Sequence, residues 1–194
     1  MKVGVLSLQG DFAAHGAMLE RLGAEPVYVR ESGQLDEIAG LVIPGGESTT
    51  MLKLMRYEGL FEPLVDFGRR KPVFGTCAGA ILMARYVTSP EQESFGLVDL
   101  DVERNGYGRQ IDSAVRQGVL SGLRNGSERA ERSMQMVFIR APIIRRVGDG
   151  VRVLGRAEGS PVLVEQGNIL AATFHPELTI DETIHRYFLS KVKE

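Results

Sequence analysis

Apolar residues in this chain come in short runs, each stopped by glycine, proline or a polar turn. The first run, Val3-Gly4-Val5-Leu6-Ser7-Leu8, ends at Gln9-Gly10-Asp11 and has the length of a strand buried on both faces. Over residues 12–22 the larger side chains Phe12, His15, Leu19 and Leu22 recur every three or four positions, which predicts a helix closed by Gly23. Further buried strands are predicted at 26–29, 41–43 and 73–74. The strand at 41–43 meets Pro44-Gly45-Gly46, with Ser48 or Thr49 placed to cap a following helix; the strand at 73–74 meets a small-residue turn at 75–79 and a helical run at 80–84. Strand and helix alternate throughout this half.

The second half reads differently. Val98, Leu100 and Val102 alternate with Asp99, Asp101 and Glu103, the period-two pattern of a strand with one wet face, and antiparallel pairing is expected there. Strands are also predicted at 137–139, 151–154, 162–164 and 169–174, and Ile184, Phe188 and Val192 give a C-terminal helix a core face. The polar stretch 121–132 reads as a surface loop. The expected fold is therefore α/β: a single domain spanning 1–194, with a mostly parallel central sheet flanked by helices and antiparallel strands in its second half.

Composition narrows the function. A length of 194 residues and 43% hydrophobic content suit one well-filled core. A formal charge of -2, with both signs mixed along the chain, gives no reason to expect nucleic acid or a membrane surface as partner. The apolar runs are too short for a membrane span, and the chain opens into a strand-like run instead of a secretory leader pattern, so a cytoplasmic setting is expected. One cysteine excludes an intramolecular disulfide, and three scattered histidines offer no metal-ligand spacing.

That cysteine lies in Gly75-Thr76-Cys77-Ala78-Gly79, of the form Gly-x-nucleophile-x-Gly. Small flanking residues let the chain turn sharply from strand to helix and project the nucleophile into a cleft, where the positive end of the helix dipole favours a negatively charged sulfur. A glycine-rich turn holding a packed cysteine is the plainer reading. A base stands in Phe174-His175-Pro176-Glu177, at the end of a predicted strand, with a carboxylate two residues on that can hold the imidazole ring and stabilise its cation. His15 and His185, on predicted helices, are read as ordinary surface or core histidines. The third piece is Pro44-Gly45-Gly46-Glu47-Ser48: the glycines let backbone N–H groups face a ligand, and an N–H of this loop with that of Ala78 would form an oxyanion hole, although a turn with a helix cap has the same composition.

Together these motifs resemble the class I glutamine amidotransferases. Glu103-Arg104-Asn105, Gly108-Arg109-Gln110, Phe138-Ile139-Arg140-Ala141-Pro142 and Leu8-Gln9-Gly10 extend the resemblance to the glutaminase subunits of pyridoxal 5'-phosphate synthases, over nearly the whole length. The chain departs from that pattern at Gly106-Tyr107, where a small polar residue and phenylalanine are usual, and at Ala114, where an aromatic is usual. The resemblance implies a Cys77-His175-Glu177 triad that hydrolyses L-glutamine to glutamate and ammonia, an oxyanion hole at Gly46 and Ala78, and glutamine contacts from Gly45, Gly46, Glu47, Arg104, Ile139 and Arg140. Arg104 and Arg140 suit a carboxylate because a guanidinium forms planar two-point hydrogen bonds, but either could instead be a structural ion-pair residue. The resemblance also implies a synthase subunit as partner and no metal or organic cofactor for the glutaminase half-reaction, with Gln9 and the Gly45-Gly46 loop as the place where docking acts. The alternatives are a glutaminase subunit of another synthase, such as that for imidazole glycerol phosphate, a stand-alone cysteine hydrolase, or a non-catalytic subunit that has kept the pocket.

Overall fold

In the computed structural model, which describes residues 1–105, 113–123 and 131–193, four apolar runs lie side by side as parallel strands. They are β1 (Lys2–Leu6), β2 (Glu25–Val29), β3 (Leu41–Ile43) and β4 (Val73–Thr76), and they pair in the order β2-β1-β3-β4. The helices between them are α1 (Phe12–Arg21), α2 (Ser48–Tyr57), α3 (Phe61–Arg70) and, directly after β4, α4 (Ala78–Met83). The chain then leaves the sheet through β5 (Ala84–Thr88) and β6 (Val98–Glu103), returns through β7 (Ser113–Leu120) and β8 (Arg132–Ile139), leaves again through β9 (Ile143–Val147) and re-enters through β10 (Arg152–Ala157), β11 (Ser160–Gln166) and β12 (Ile169–Ala172). Helix α5 (Thr183–Lys193) follows.

β12 closes the parallel half by pairing with β4, Ile169 opposite Val73 through Ala172 opposite Thr76. Beyond it β11, β10, β7 and β8 add antiparallel neighbours, giving a nine-stranded mixed sheet among the described residues. The expected division of the fold is thus observed. Both faces of the parallel strands are apolar because both are covered. Leu6, Leu41, Ile43 and Val73 pack toward α2, α3 and α4, whereas Val3, Val5, Val42 and Phe74 pack with Leu19 of α1 and with Ile184 and Phe188 of α5.

Three local expectations are corrected. Ala84 does not end a helix: it opens β5, and α4 stops at Met83. β6 shows the expected alternation of burial, but it pairs antiparallel only with β9 and runs parallel to β5 in a separate three-stranded sheet. The cap of α2 is neither Ser48 nor Thr49 but Glu47, whose carboxylate accepts from the Thr49 and Thr50 amides at 3.0 and 2.7 Å. A longer side chain reaches the same orphan N–H groups from one residue earlier. Gly106-Tyr107, Gly108-Arg109-Gln110 and the 124–130 part of the predicted polar loop lie outside the described residues. Ala114, the other departure, faces Phe138 across the β7–β8 pair.

Because β1, β3, β4 and β12 are parallel, their C-terminal ends open on one edge of the sheet, the edge where α/β sheets present ligand sites. The segments beginning at Ser7, Pro44, Cys77 and Thr173 leave the strands there.

Candidate active site

Cys77 sits at the junction of β4 and α4 with φ 47° and ψ -101°, a backbone conformation that costs a non-glycine residue about 1–3 kcal/mol. Its amide donates to Ala172 O at 2.8 Å and its carbonyl accepts from the Ile81 amide at 3.2 Å, so sheet and helix together impose the turn. Gly79 is required by the same turn, since a Cβ there would lie 2.2 Å from Ile43 O. The sulfur, though mostly buried, reaches the cavity and lies 3.8 Å from Ile139 O, to which the thiol can donate. Ala78 follows as the first residue of α4, where an amide has no intrahelical acceptor.

His175 comes in from the other side. Its amide donates to Val137 O of β8 at 2.8 Å, while Phe174, fully buried, stacks near Phe138 with ring centroids 5.7 Å apart. The imidazole Nδ1 lies 2.7 Å from Glu177 Oε1, and Glu177 is presented by a short 3-10 turn at Pro176–Leu178. Burial opposes the imidazolium, but the neighbouring Cys77 sulfur and the Glu177 carboxylate outweigh it and push the pKa of His175 up to about 10. Cys77, His175 and Glu177 are therefore brought together, with the acid on Nδ1 and the sulfur interacting with the same ring.

The Gly45-Gly46 loop supports this ring. A Cβ on Gly45 would fall 2.3 Å from His175 Cε1, so the loop backbone packs directly against the imidazole. Gly45 O accepts from the Asp11 amide at 3.1 Å, and Gln9 Oε1 accepts from the Glu47 amide at 2.9 Å, which ties the loop to the end of β1. Gly46 and Glu47 line a cavity of about 260 Å³ together with Cys77, His175, Arg104, Asn105, Ile139 and Arg140. Of the residues implied as glutamine contacts, only Gly45 is not on the cavity wall; it acts behind it.

Glu47 and Arg104 form the charged side of the cavity. Arg104 Nη2 lies 3.2 Å from Glu47 Oε1 and 2.9 Å from Thr49 Oγ1, so this guanidinium is tied to the cap of α2 as well as facing the cavity. Partial burial works to raise the pKa of Glu47, but hydrogen bonds from the Thr50 hydroxyl and the Thr49 and Thr50 amides hold it down at about 2. Arg140 lines the cavity from a residue with φ 44° just after β8.

Asp11 was not foreseen at the site, yet it lines the cavity and its Oδ2 lies 3.7 Å from His175 Nδ1. Its signal was available: like the glycine loop and the His-Pro-Glu segment, it stands just beyond the C-terminal end of a parallel strand. Asp11, His175 and Glu177 place one donor atom each within 4.8 Å, but Nδ1 of His175 is already engaged by Glu177, so the group is organised as a hydrogen-bonded pair and not as a cation cage. Among the described residues no helix is long and apolar enough to cross a membrane.

Comparison with known proteins identifies the family. The SNO glutamine amidotransferase family matches residues 5–194. A protein of Solibacter usitatus (strain Ellin6076) named pyridoxal 5'-phosphate synthase subunit PdxT is 66% identical, covering 98% of this chain and 99% of its own. A second protein of that name, from Koribacter versatilis (strain Ellin345), is 56% identical over 100% of this chain and 96% of its own. Among solved structures, a crystal structure of a glutamine amidotransferase superposes with a TM-score of 0.89 at 45% identity, covering 99% of each chain. The structure of PurLQS from Thermotoga maritima, at 17% identity and a TM-score of 0.74 over 97% of each chain, shares the fold alone. The protein described here belongs to the SNO glutamine amidotransferase family.

Proposed function

We propose that this chain, as one domain, hydrolyses L-glutamine through Cys77, His175 and Glu177 and passes the ammonia to a pyridoxal 5'-phosphate synthase subunit in the cytoplasm. The observation that carries the chemistry is the meeting of the three groups at one sheet edge, with Nδ1 of His175 held 2.7 Å from Glu177 and the Cys77 sulfur beside the same ring. The choice of client rests on the relatives that carry the name of that synthase's subunit.

In this reading the Cys77 thiolate attacks the side-chain amide carbon of glutamine. The oxyanion is received by the N–H groups of Ala78 and Gly46. His175, charged and held by Glu177, gives its proton to the leaving nitrogen; ammonia departs and a glutamyl thioester remains on Cys77. His175 then takes a proton from water as the oxygen attacks the thioester, and glutamate and the thiolate are released. Glu47, Arg104, Ile139 and Arg140 bound the space left for the amino-acid end of the substrate, where a guanidinium can pair with a carboxylate. Neither half of this cycle uses a metal or an organic cofactor.

The test is glutamate release from glutamine by the purified chain, alone and with a pyridoxal 5'-phosphate synthase subunit. Release that rises strongly with the partner supports both chemistry and client. Equal release in both settings leaves a glutaminase with another client, and turnover that survives Cys77→Ala removes the nucleophile assignment.

A further inference from the structure

Behind the triad lies a second row of titratable groups that the chemistry above does not use. Glu177 has two carboxylate oxygens: Oε1 faces His175, and Oε2 is buried with no well-aligned hydrogen bond among the described residues. The polar atom turned toward it is His15 Nε2, 3.4 Å away, which also lies 3.1 Å from Thr76 Oγ1. On the other side of the ring, His15 Nδ1 meets His185 Nε2 at 2.9 Å. Both histidines are completely buried, against the edge of Phe74, and they come from α1 and α5.

The proton positions in this row follow from what lies at its far end. His185 Nδ1 is buried and, among the described residues, has no hydrogen-bond partner. If His15 Nδ1 carried the proton and donated to His185, the proton of His185 would sit on that unpartnered Nδ1, leaving an orphaned N–H in apolar surroundings, and a bare lone pair of His15 would face the Glu177 carboxylate. Both are costly. In the opposite arrangement His185 Nε2–H donates to His15 Nδ1, and His15 Nε2–H points at Thr76 Oγ1 and Glu177 Oε2. Only a lone pair is then left without a partner.

We propose that His15 is a positioning residue for glutamine hydrolysis: as the neutral Nε2–H tautomer selected by His185, it presents its N–H to the outer oxygen of Glu177 and holds that carboxylate in line with His175. Neutrality has independent support. Burial first, and the nearby Arg21 charge second, push His185 down to about 3; burial, His185 and His175 together push His15 well down. Among the described residues, the groups facing His15 are Thr76 and Phe74 from β4, His185 from α5, and Glu177 with His175 from the segment after β12, and of these Glu177 is the one carboxylate.

The inference rests on the glutaminase reading, and the experiment separates the two. Glutamate release is measured for the chain in complex with its synthase subunit, in wild type, His15→Met and His15→Gln. Loss of a hydrogen bond to a charged group predicts a roughly ten- to hundred-fold fall in kcat for His15→Met. KM for glutamine stays within about two-fold, because the cavity wall is untouched. His15→Gln, whose amide restores a donor at the Nε2 position, recovers most of the rate. Wild-type kcat in His15→Met, or equal impairment of both variants with unchanged thermal melting, overturns the proposal. Should His15→Met not fold, histidine nitrogen NMR on the wild-type chain decides: His15 and His185 both as Nε2–H tautomers that do not titrate between about pH 5 and 8 support it, and a proton on His15 Nδ1 overturns it. A wild-type complex that releases no glutamate defeats the glutaminase reading, while the tautomer result stands by itself.

Discussion

Nδ1 of His175 and Oε1 of Glu177 lie 2.7 Å apart, with both side chains almost sealed from water, although only Pro176 separates them in the chain. A carboxylate so placed fixes which ring nitrogen carries a proton and leaves the other to face the sulfur. Glu177→Gln keeps the shape and removes the charge. Its kcat for glutamine should fall by on the order of a hundred-fold or more, with KM little changed, as read from steady-state glutamate release.

The Cys77 sulfur and this carboxylate together make stability depend on pH through His175. The His175 pKa is raised in the folded chain to about 10, above the unfolded value near 6.5, so the stabilisation is complete below about pH 6.5 and is lost as pH rises through about 10. The difference in urea midpoint between wild type and Glu177→Gln should therefore be largest at the lower end of that window and shrink steadily toward its upper end. A difference that grows with pH would contradict a charged His175.

Gly45 should tolerate no side chain, for a reason unrelated to substrate contact. A methyl group there would lie 2.3 Å from Cε1 and 2.9 Å from Nδ1 of His175, so Gly45→Ala must shift either the loop or the ring. Displacements of that kind cost on the order of a hundred-fold in rate. The expected outcome is a folded protein with kcat reduced to about that extent, measured beside its thermal melting curve.

Glu47 does two jobs at once. It caps α2 through the Thr49 and Thr50 amides and holds Arg104 at 3.2 Å. Glu47→Ala should lower unfolding stability by about 1 kcal/mol, the usual value of an N-cap. The same variant should raise KM for glutamine by releasing Arg104. Because the Glu47 pKa is depressed to about 2, its contribution is present above about pH 4.5 and fades only as pH falls through 2; the wild-type advantage in urea midpoint should be flat across neutral pH.

Cys77, the Gly45-Gly46 loop and the His175-Glu177 pair were legible in the sequence for one reason. Each follows a short apolar run at once, and in a parallel sheet all such positions open on the same edge. Runs and turns are local signals, carried by neighbouring residues. Arg104 was marked by its resemblance to a known motif, but its bond to Thr49 Oγ1 was not, because nothing local relates the end of β6 to the start of α2.

By itself, then, the sequence determined the kinds of groups present, their places at strand ends and the division of the sheet into a parallel and an antiparallel part, since period and run length depend on adjacent positions. Tertiary structure alone decided which distant groups meet, such as Asp11 beside His175 and β5 parallel to β6, whereas the choice of Glu47 over Ser48 as the cap of α2 turned on local side-chain reach. It also turned His15 and His185, which read as ordinary histidines on two helices at opposite ends of the chain, into a buried row ending on Glu177. The physical reason is that α1 and α5 pack on the same face of the sheet, and burying polar rings there requires them to find each other and the carboxylate.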